Sequence, residues 1–158
     1  MLTLDEALTR LLSAVQPLAD GHELPTFDAL GRVLAEPVQS LLDVPPADNT
    51  SMDGYAVRCA DVLVPGTVLP VSQRIPAGVV GSPLRAGSAA RIFTGAQVPV
   101  GADAVVMQEQ CAAEGDTHGE GVRSPVVRID TVPTPGQWVR RRGEDVMAIQ
   151  AWPNGEFR

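Results

Sequence analysis

The chain has 158 residues, with twelve cationic and nineteen acidic side chains for a formal net charge of −7. That length buries a core without disulfide or metal staples, and the acidic balance argues against a nucleic-acid or anionic-membrane partner. All twelve cations are arginine, which excludes a lysine Schiff base, a lysine general base and a Walker-type phosphate loop built from these residues.

Two histidines (His22, His118) and two cysteines (Cys59, Cys111) show no zinc-site spacing, and the cysteines read as small, buried, apolar residues. Fifteen glycines and fourteen prolines imply many turns and few long helices. No apolar run approaches the ~18 residues of a membrane span, and no basic stretch leads into an apolar one at the N-terminus. The expectation is a cytoplasmic chain.

A helix is expected to begin after Thr3, where Thr3-x-x-Glu6 forms a capping-box pattern and Asp5 adds a second anion. Leu4, Ala7, Leu8, Leu11, Leu12 and Val15 repeat at helical spacing, and Pro17 with Asp20-Gly21 should end the run. Its apolar face must dock on the rest of the chain or on a second copy. Residues 23 to 41 read as a short strand, a helical turn and another strand, with a bend at Gly31.

From Pro45 the texture changes to short β-type runs between Gly and Pro. Strands are expected at Tyr55–Arg58, Val68–Ile75, Ala89–Phe93, Ala104–Glu109, Val126–Val132 and Trp138–Arg140. Such spacing suggests a small β-barrel or sandwich. Cys111–Ser124 is polar and reads as a hairpin loop, and residues 147 to 158 show neither period and read as an unstructured end.

Three segments can carry chemistry, and each has a plainer alternative. In Pro45-Pro46-Ala47-Asp48-Asn49-Thr50-Ser51-Met52-Asp53-Gly54-Tyr55-Ala56, Asp53 projects from a tight turn at Gly54 and can offer an oxygen ligand to Mg²⁺. The alternative is a turn-rich linker into the β domain. In Arg91-Ile92-Phe93-Thr94-Gly95-Ala96, the Thr94 hydroxyl and the N–H groups around Gly95 can receive an anionic oxygen. The alternative is an ordinary connection between strands. Arg140-Arg141-Arg142-Gly143-Glu144-Asp145 can recognise phosphate or carboxylate, with Asp145 near a metal or phosphate ester. The alternative is a solvated charged turn.

Together these segments resemble the molybdopterin molybdenumtransferase family, the bacterial MoeA type that is also the E domain of gephyrin. The resemblance rests on Asp48-Asn49-x-Ser51-Met52-Asp53-Gly54-Tyr55-Ala56, Arg91-Ile92-Phe93-Thr94-Gly95-Ala96, Gly101-Ala102-Asp103-Ala104-Val105-Val106-Met107-Gln108-Glu109 and Arg142-Gly143-Glu144-Asp145. It extends to Leu4-Asp5-Glu6-Ala7 and Ala29-Leu30-Gly31-Arg32-Val33-Leu34-Ala35, so it covers residues 1 to about 146.

The resemblance implies insertion of molybdate into adenylated molybdopterin with release of AMP, assisted by Mg²⁺ or another divalent cation, in a homodimer. It implies cleft roles for Asp53, Thr94 and Asp145, with Asp53 and Asp145 toward the metal. It further implies contacts to the bound molecule from Ser51, Gly54, Gly95 and Arg142.

Two departures qualify it. Ala47 stands where the family usually has an aromatic residue. The stretch after Val146 does not match, and the family's central α/β domain with its Gly-rich turn and lysines is missing from these residues. A chain of this extent is therefore expected to be the N-terminal part of such an enzyme and not competent alone. A non-catalytic binding or dimerisation module, the remnant of a truncated gene, and a small acidic β-barrel without chemistry are the competing readings. The fold class expected is α+β. Residues 1–46 with 138–158 would form an incomplete, mixed, dimerisation-type domain, and residues 47–137 an inserted β-rich domain.

Overall fold

The computed structural model describes residues 2–16, 21–114, 125–148 and 151–152. They contain one α-helix, three short 3-10 turns and ten strands, several of only two residues. The chain divides into two compact units, Met1–Val38 with Ala151–Arg158 and Gln39–Gln150. Residues 39–46 and 138–148 fall within the second of these units.

In the smaller unit, helix α1 (Leu4–Ser13) starts as its sequence dictates. Glu6 N–H donates to Thr3 Oγ1 (3.2 Å) and Thr3 N–H donates to Glu6 Oε2 (2.8 Å), closing the capping box. The helix stops at Ser13, capped by Ala14, before Pro17 is reached. Leu4, Leu8, Leu11 and Leu12 remain exposed and only Ala7 is half-buried, so no residue of the helix is buried by the described residues. A 3-10 turn at Thr26–Asp28 and the strand β1 (Val38–Gln39) are present, and Gly31 bends with φ +76°. The strand expected before that turn is absent, because Pro25 at its edge has no N–H to give a ladder. The tail expected to be unstructured contributes β10 (Ala151–Trp152), which pairs with β1.

The larger unit is built on one six-stranded sheet. Its strands are β3 (Gly54–Val57), β4 (Thr67–Ile75), β5 (Ala89–Ile92), β6 (Ala104–Met107), β7 (Cys111–Glu114) and β8 (Val126–Ile129), in the order β6-β3-β5-β4-β8-β7. The long strand β4 joins the sheet's two halves. Thr67–Pro70 pair antiparallel with β8, and Val71–Ile75 pair parallel with β5 across a register shift between Val71 and Gln73.

The central strands are apolar on both faces because both faces are covered. Tyr55, Val57, Val106, Val127 and Ile129 lie in one buried cluster, and Ala56, Ile75, Ile92 and Val105 lie in the other. The expected barrel or sandwich is met in part: the single sheet curls into a half-barrel and carries two core clusters. Strand β7 was not expected, since Cys111-Ala112-Ala113-Glu114 has little β character. It forms because Ala112 and Ala113 find Arg128 and Val127 opposite them on β8. The rest of the expected hairpin loop, residues 115–124, lies outside the described residues.

Candidate active site

The three singled-out segments meet around Thr50, a position left open in the motif. Thr50 is the second residue of β2 (Asn49–Thr50), which pairs with β9 (Val139–Arg140) in the register Asn49↔Arg140 and Thr50↔Val139. Its N–H donates to Ala96 O (3.0 Å), its O accepts from Gly95 N–H (2.8 Å), and its hydroxyl donates to Met52 O (2.8 Å). With 1% exposure it is the buried peg on which the Asp48–Tyr55, Phe93–Gln97 and Trp138–Arg140 segments hang. Sequence reasoning missed it, because a buried threonine between polar turn residues looks like one more turn residue.

Asp53 and Thr94, 41 residues apart, are joined by a side-chain pair. Thr94 N–H and Thr94 Oγ1–H both donate to Asp53 Oδ1, at 2.8 and 2.7 Å. The Thr94 backbone bond, then the hydroxyl bond, and the nearby Arg91 charge hold the Asp53 carboxyl below the usual aspartate range, so it is an anion at neutral pH. Both bonds fall on Oδ1, which leaves Oδ2 as an open acceptor among the described residues. Next along the chain, an added Cβ on Gly54 would stand 1.9 Å from Val106 O, so β3 approaches β6 as only glycine allows.

The anion receptor expected at Thr94-Gly95 is not what the backbone builds. Thr94 N–H is spent on Asp53, Gly95 N–H on Thr50 O and Ala96 N–H on Phe93 O. What remains there is an acidic, oxygen-rich corner.

The arginine triplet is also committed within the chain. Arg140 Nη2 donates to both Asp145 oxygens (2.6 and 2.5 Å), and that bond and charge push the guanidinium pKa up. Arg141 Nη1 reaches Asp48 Oδ2 (2.6 Å), and Arg142 Nε reaches Asp43 Oδ2 (2.5 Å). Arg142 N–H donates to Asp48 Oδ1 (2.8 Å) and Ala148 N–H to Asp43 Oδ1 (2.7 Å). These backbone bonds come first in holding Asp43 and Asp48 below their usual range.

The segment is therefore a strap fastened to residues 43–48, and Val44 bridges Val146 to complete it. Asp145 N–H donates to Val44 O (2.9 Å), which fixes its backbone, while its side chain stays exposed beside Arg140. Ser51 enters through its backbone, its N–H donating to Trp138 O (3.3 Å). Trp138 has φ +55°, a conformation uncommon for a bulky residue. Buried Asn49 Oδ1 has no hydrogen-bond partner among the described residues.

Among the described residues no group of three or more His, Cys, Asp or Glu is placed to hold a metal ion. Magnesium does not require one, since it commonly takes one or two carboxylates, several waters and a substrate phosphate. Asp53 Oδ2 fits that pattern, and Asp145 can join only through the lone pairs Arg140 leaves free. Cys59 and Cys111 are half-buried, and burial, with Asp103 and Asp130 respectively, pushes both thiols up to about 12, so neither supplies a thiolate.

A family model described as "MoeA N-terminal region (domain I and II)" matches residues 2–152. The chain belongs to the MoeA N-terminal region family. A molybdopterin molybdenumtransferase of Haemophilus influenzae is 36% identical over 146 residues, covering 92% of this chain and 34% of that protein. One from a Nostoc species is 48% identical over 126 residues, covering 77% of this chain and 27% of that protein.

The crystal structure of a molybdopterin biosynthesis moeA protein from Pyrococcus horikoshii superposes with a TM-score of 0.75 at 34% identity. That match covers 95% of this chain and 38% of that one. The chain thus spans about a third of the length of the curated MoeA-type relatives it matches. No helix among the described residues is long and apolar enough to cross a membrane.

Proposed function

We propose that this chain supplies the Asp53–Thr94 corner of an active cleft for molybdenum cofactor biosynthesis. The reaction is insertion of molybdate into adenylated molybdopterin with release of AMP. The observation that carries the reading is the Asp53–Thr94 pair itself. Two motif residues from distant segments are brought to hydrogen-bonding distance in a chain whose relatives are named molybdopterin molybdenumtransferases.

In this reading Thr94 orients Asp53, because both its donors point at one carboxylate oxygen. Asp53 then presents Oδ2 as a fixed negative charge. Asp53 and Asp145 would hold a divalent cation, which when bound neutralises charge on the phosphoryl oxygens of the adenylated substrate. Arg140 restrains Asp145, and the strap of Arg141 and Arg142 on Asp48 and Asp43 keeps residues 138–145 in place. Positioning of two ligands needs both walls of a cleft, so these residues alone contribute one wall and turnover needs the other. The uncovered apolar face of α1 supports a homodimer as the working form.

The test is a chimera. Residues 1–146 replace the matching part of the Nostoc relative, and molybdate-dependent AMP release is measured. The expected result is turnover that falls at least ~100-fold with Asp53→Asn, the scale of one lost electrostatic contact to the transition state. A folded chimera indifferent to Asp53→Asn would refute the assignment.

A further inference from the structure

The acidic corner and the committed arginine strap raise the question of where this chain can receive an anion. Five of its arginines, Arg58, Arg128, Arg140, Arg141 and Arg142, sit within ion-pair distance of a carboxylate. Arg74 and Arg91 do not, among the described residues, and the fold sets them side by side. They are register partners on the parallel strands β4 and β5.

Both guanidinium groups lie over the ring of Phe93, at 4.7 and 4.4 Å from its centroid, and Arg91 also lies 5.3 Å from the Tyr55 centroid. Both line a groove of about 700 Å³ that also includes Tyr55, Ser72 and Gln73. Like charges on neighbouring strands repel, and an aromatic face offsets only part of that.

The donor count sharpens the point. Arg91 is anchored by Gly54 O (2.8 Å), Ile92 O (3.1 Å) and Gln108 Oε1 (2.6 Å), which leaves two of its five N–H groups open. Arg74 has no hydrogen-bond partner among the described residues, so all five of its donors are open. Glu114, the acidic residue of the groove, is held by Arg128 at 3.5 Å. Gln73 is turned to Ser82 and Ser72 to Ala89 O, so neither neutralises the pair. One anchored and one unanchored cation, both stacked on Phe93, with open N–H groups and no carboxylate within ion-pair distance among the described residues, form a dianion receptor in a protein whose net charge is −7.

We propose that the Arg74–Arg91 groove, which adjoins the Asp53–Thr94 corner through Arg91, binds the phosphate dianion of a small molecule, whether or not the molybdenum reading holds. Arg91 is the anchored half and Arg74 the half free to close on the ligand. Tyr55 and Val71, which line the groove, offer apolar surface to whatever the phosphate is attached to.

The experiment is an NMR titration of the isotopically labelled chain with inorganic phosphate and, separately, with phenyl phosphate. The expected result is a saturable shift of the Arg74 and Arg91 Nε–H signals and of the Ser72–Arg74 amides. Arg74→Ala should weaken it by about tenfold or more, and Arg74→Lys should recover part of it. Arg74 is exposed and holds no backbone group, so its variants keep the fold, whereas Arg91 variants release Gly54 O. Tighter binding of phenyl phosphate identifies an organic phosphate as the occupant, and equal binding identifies the free ion. Shifts at Arg10, Arg32 or Arg85 instead, no saturation, or unchanged affinity in Arg74→Ala would overturn the proposal.

Discussion

Replacing Gly54 with alanine puts a methyl group where the backbone of β6 already stands. The new Cβ would lie 1.9 Å from Val106 O, 2.9 Å from Val106 C and 3.1 Å from Met107 Cα. An ordinary carbon–oxygen contact is about 3.3 Å or longer, so β3 must retreat from β6 by more than an ångström. The register pairs Gly54↔Met107 and Tyr55↔Val106 are then the first to open. Overpacking of about 1–3 kcal/mol with two ladder bonds at about 1 kcal/mol each gives a loss of about 3–5 kcal/mol.

At about 2–4 °C per kcal/mol for a chain of this size, Tm falls by on the order of 10 °C. Gly66→Ala is the control. Gly66 has φ +84° but nothing within 4 Å of an added Cβ, so it bears only the backbone cost of about 1–2 kcal/mol. Thermal unfolding followed by circular dichroism compares the two. A Gly54→Ala variant that melts with or above Gly66→Ala would show that the β3–β6 approach is not what selects glycine beside Asp53.

The remaining predictions concern the site and its surroundings. Thr94→Ala removes the hydroxyl bond but keeps the larger backbone bond, so the Asp53 pKa, read by NMR titration, should rise yet stay below 3.8; no rise would refute the hydroxyl contact. Asp43 and Asp48 have folded pKa values below 3.8, so their contribution to the strap is complete above that pH and is lost as pH falls through the depressed values. The amide signals of Arg142 and Ala148 should therefore hold from pH 7 to 4 and move together below it, and a midpoint above pH 4 would contradict this. Cys59 and Cys111, with thiols near 12, should resist alkylation at pH 8 in the folded chain and react once it is unfolded; equal rates in both states would show accessible thiolates.

Much of this protein is written in local pattern. The Thr3–Glu6 capping box, the apolar runs of β3, β4, β5, β6 and β8, and the bend at Gly31 follow from residue type and spacing, because each depends on near neighbours. The segments holding Asp53, Thr94 and Asp145 stand out in the sequence by their turn residues and by their resemblance to a family, not by near-neighbour pattern alone. Strand β7 and the pairing of Ala151–Trp152 with Val38–Gln39 were not, since a weak strand forms only where a partner edge awaits it. Thr50 escaped notice because its importance lies in which backbones surround it.

Charge shows the division most clearly. Composition shows twelve arginines and no lysine, and hence what chemistry cannot be built. Only the tertiary structure decides that the conspicuous triplet at Arg140–Arg142 is spent on Asp145, Asp48 and Asp43, while Arg74 and Arg91 are left facing a groove. An arginine's availability depends on which carboxylate the fold brings within reach. For Arg141 and Arg142 that partner stands more than ninety residues away in the chain.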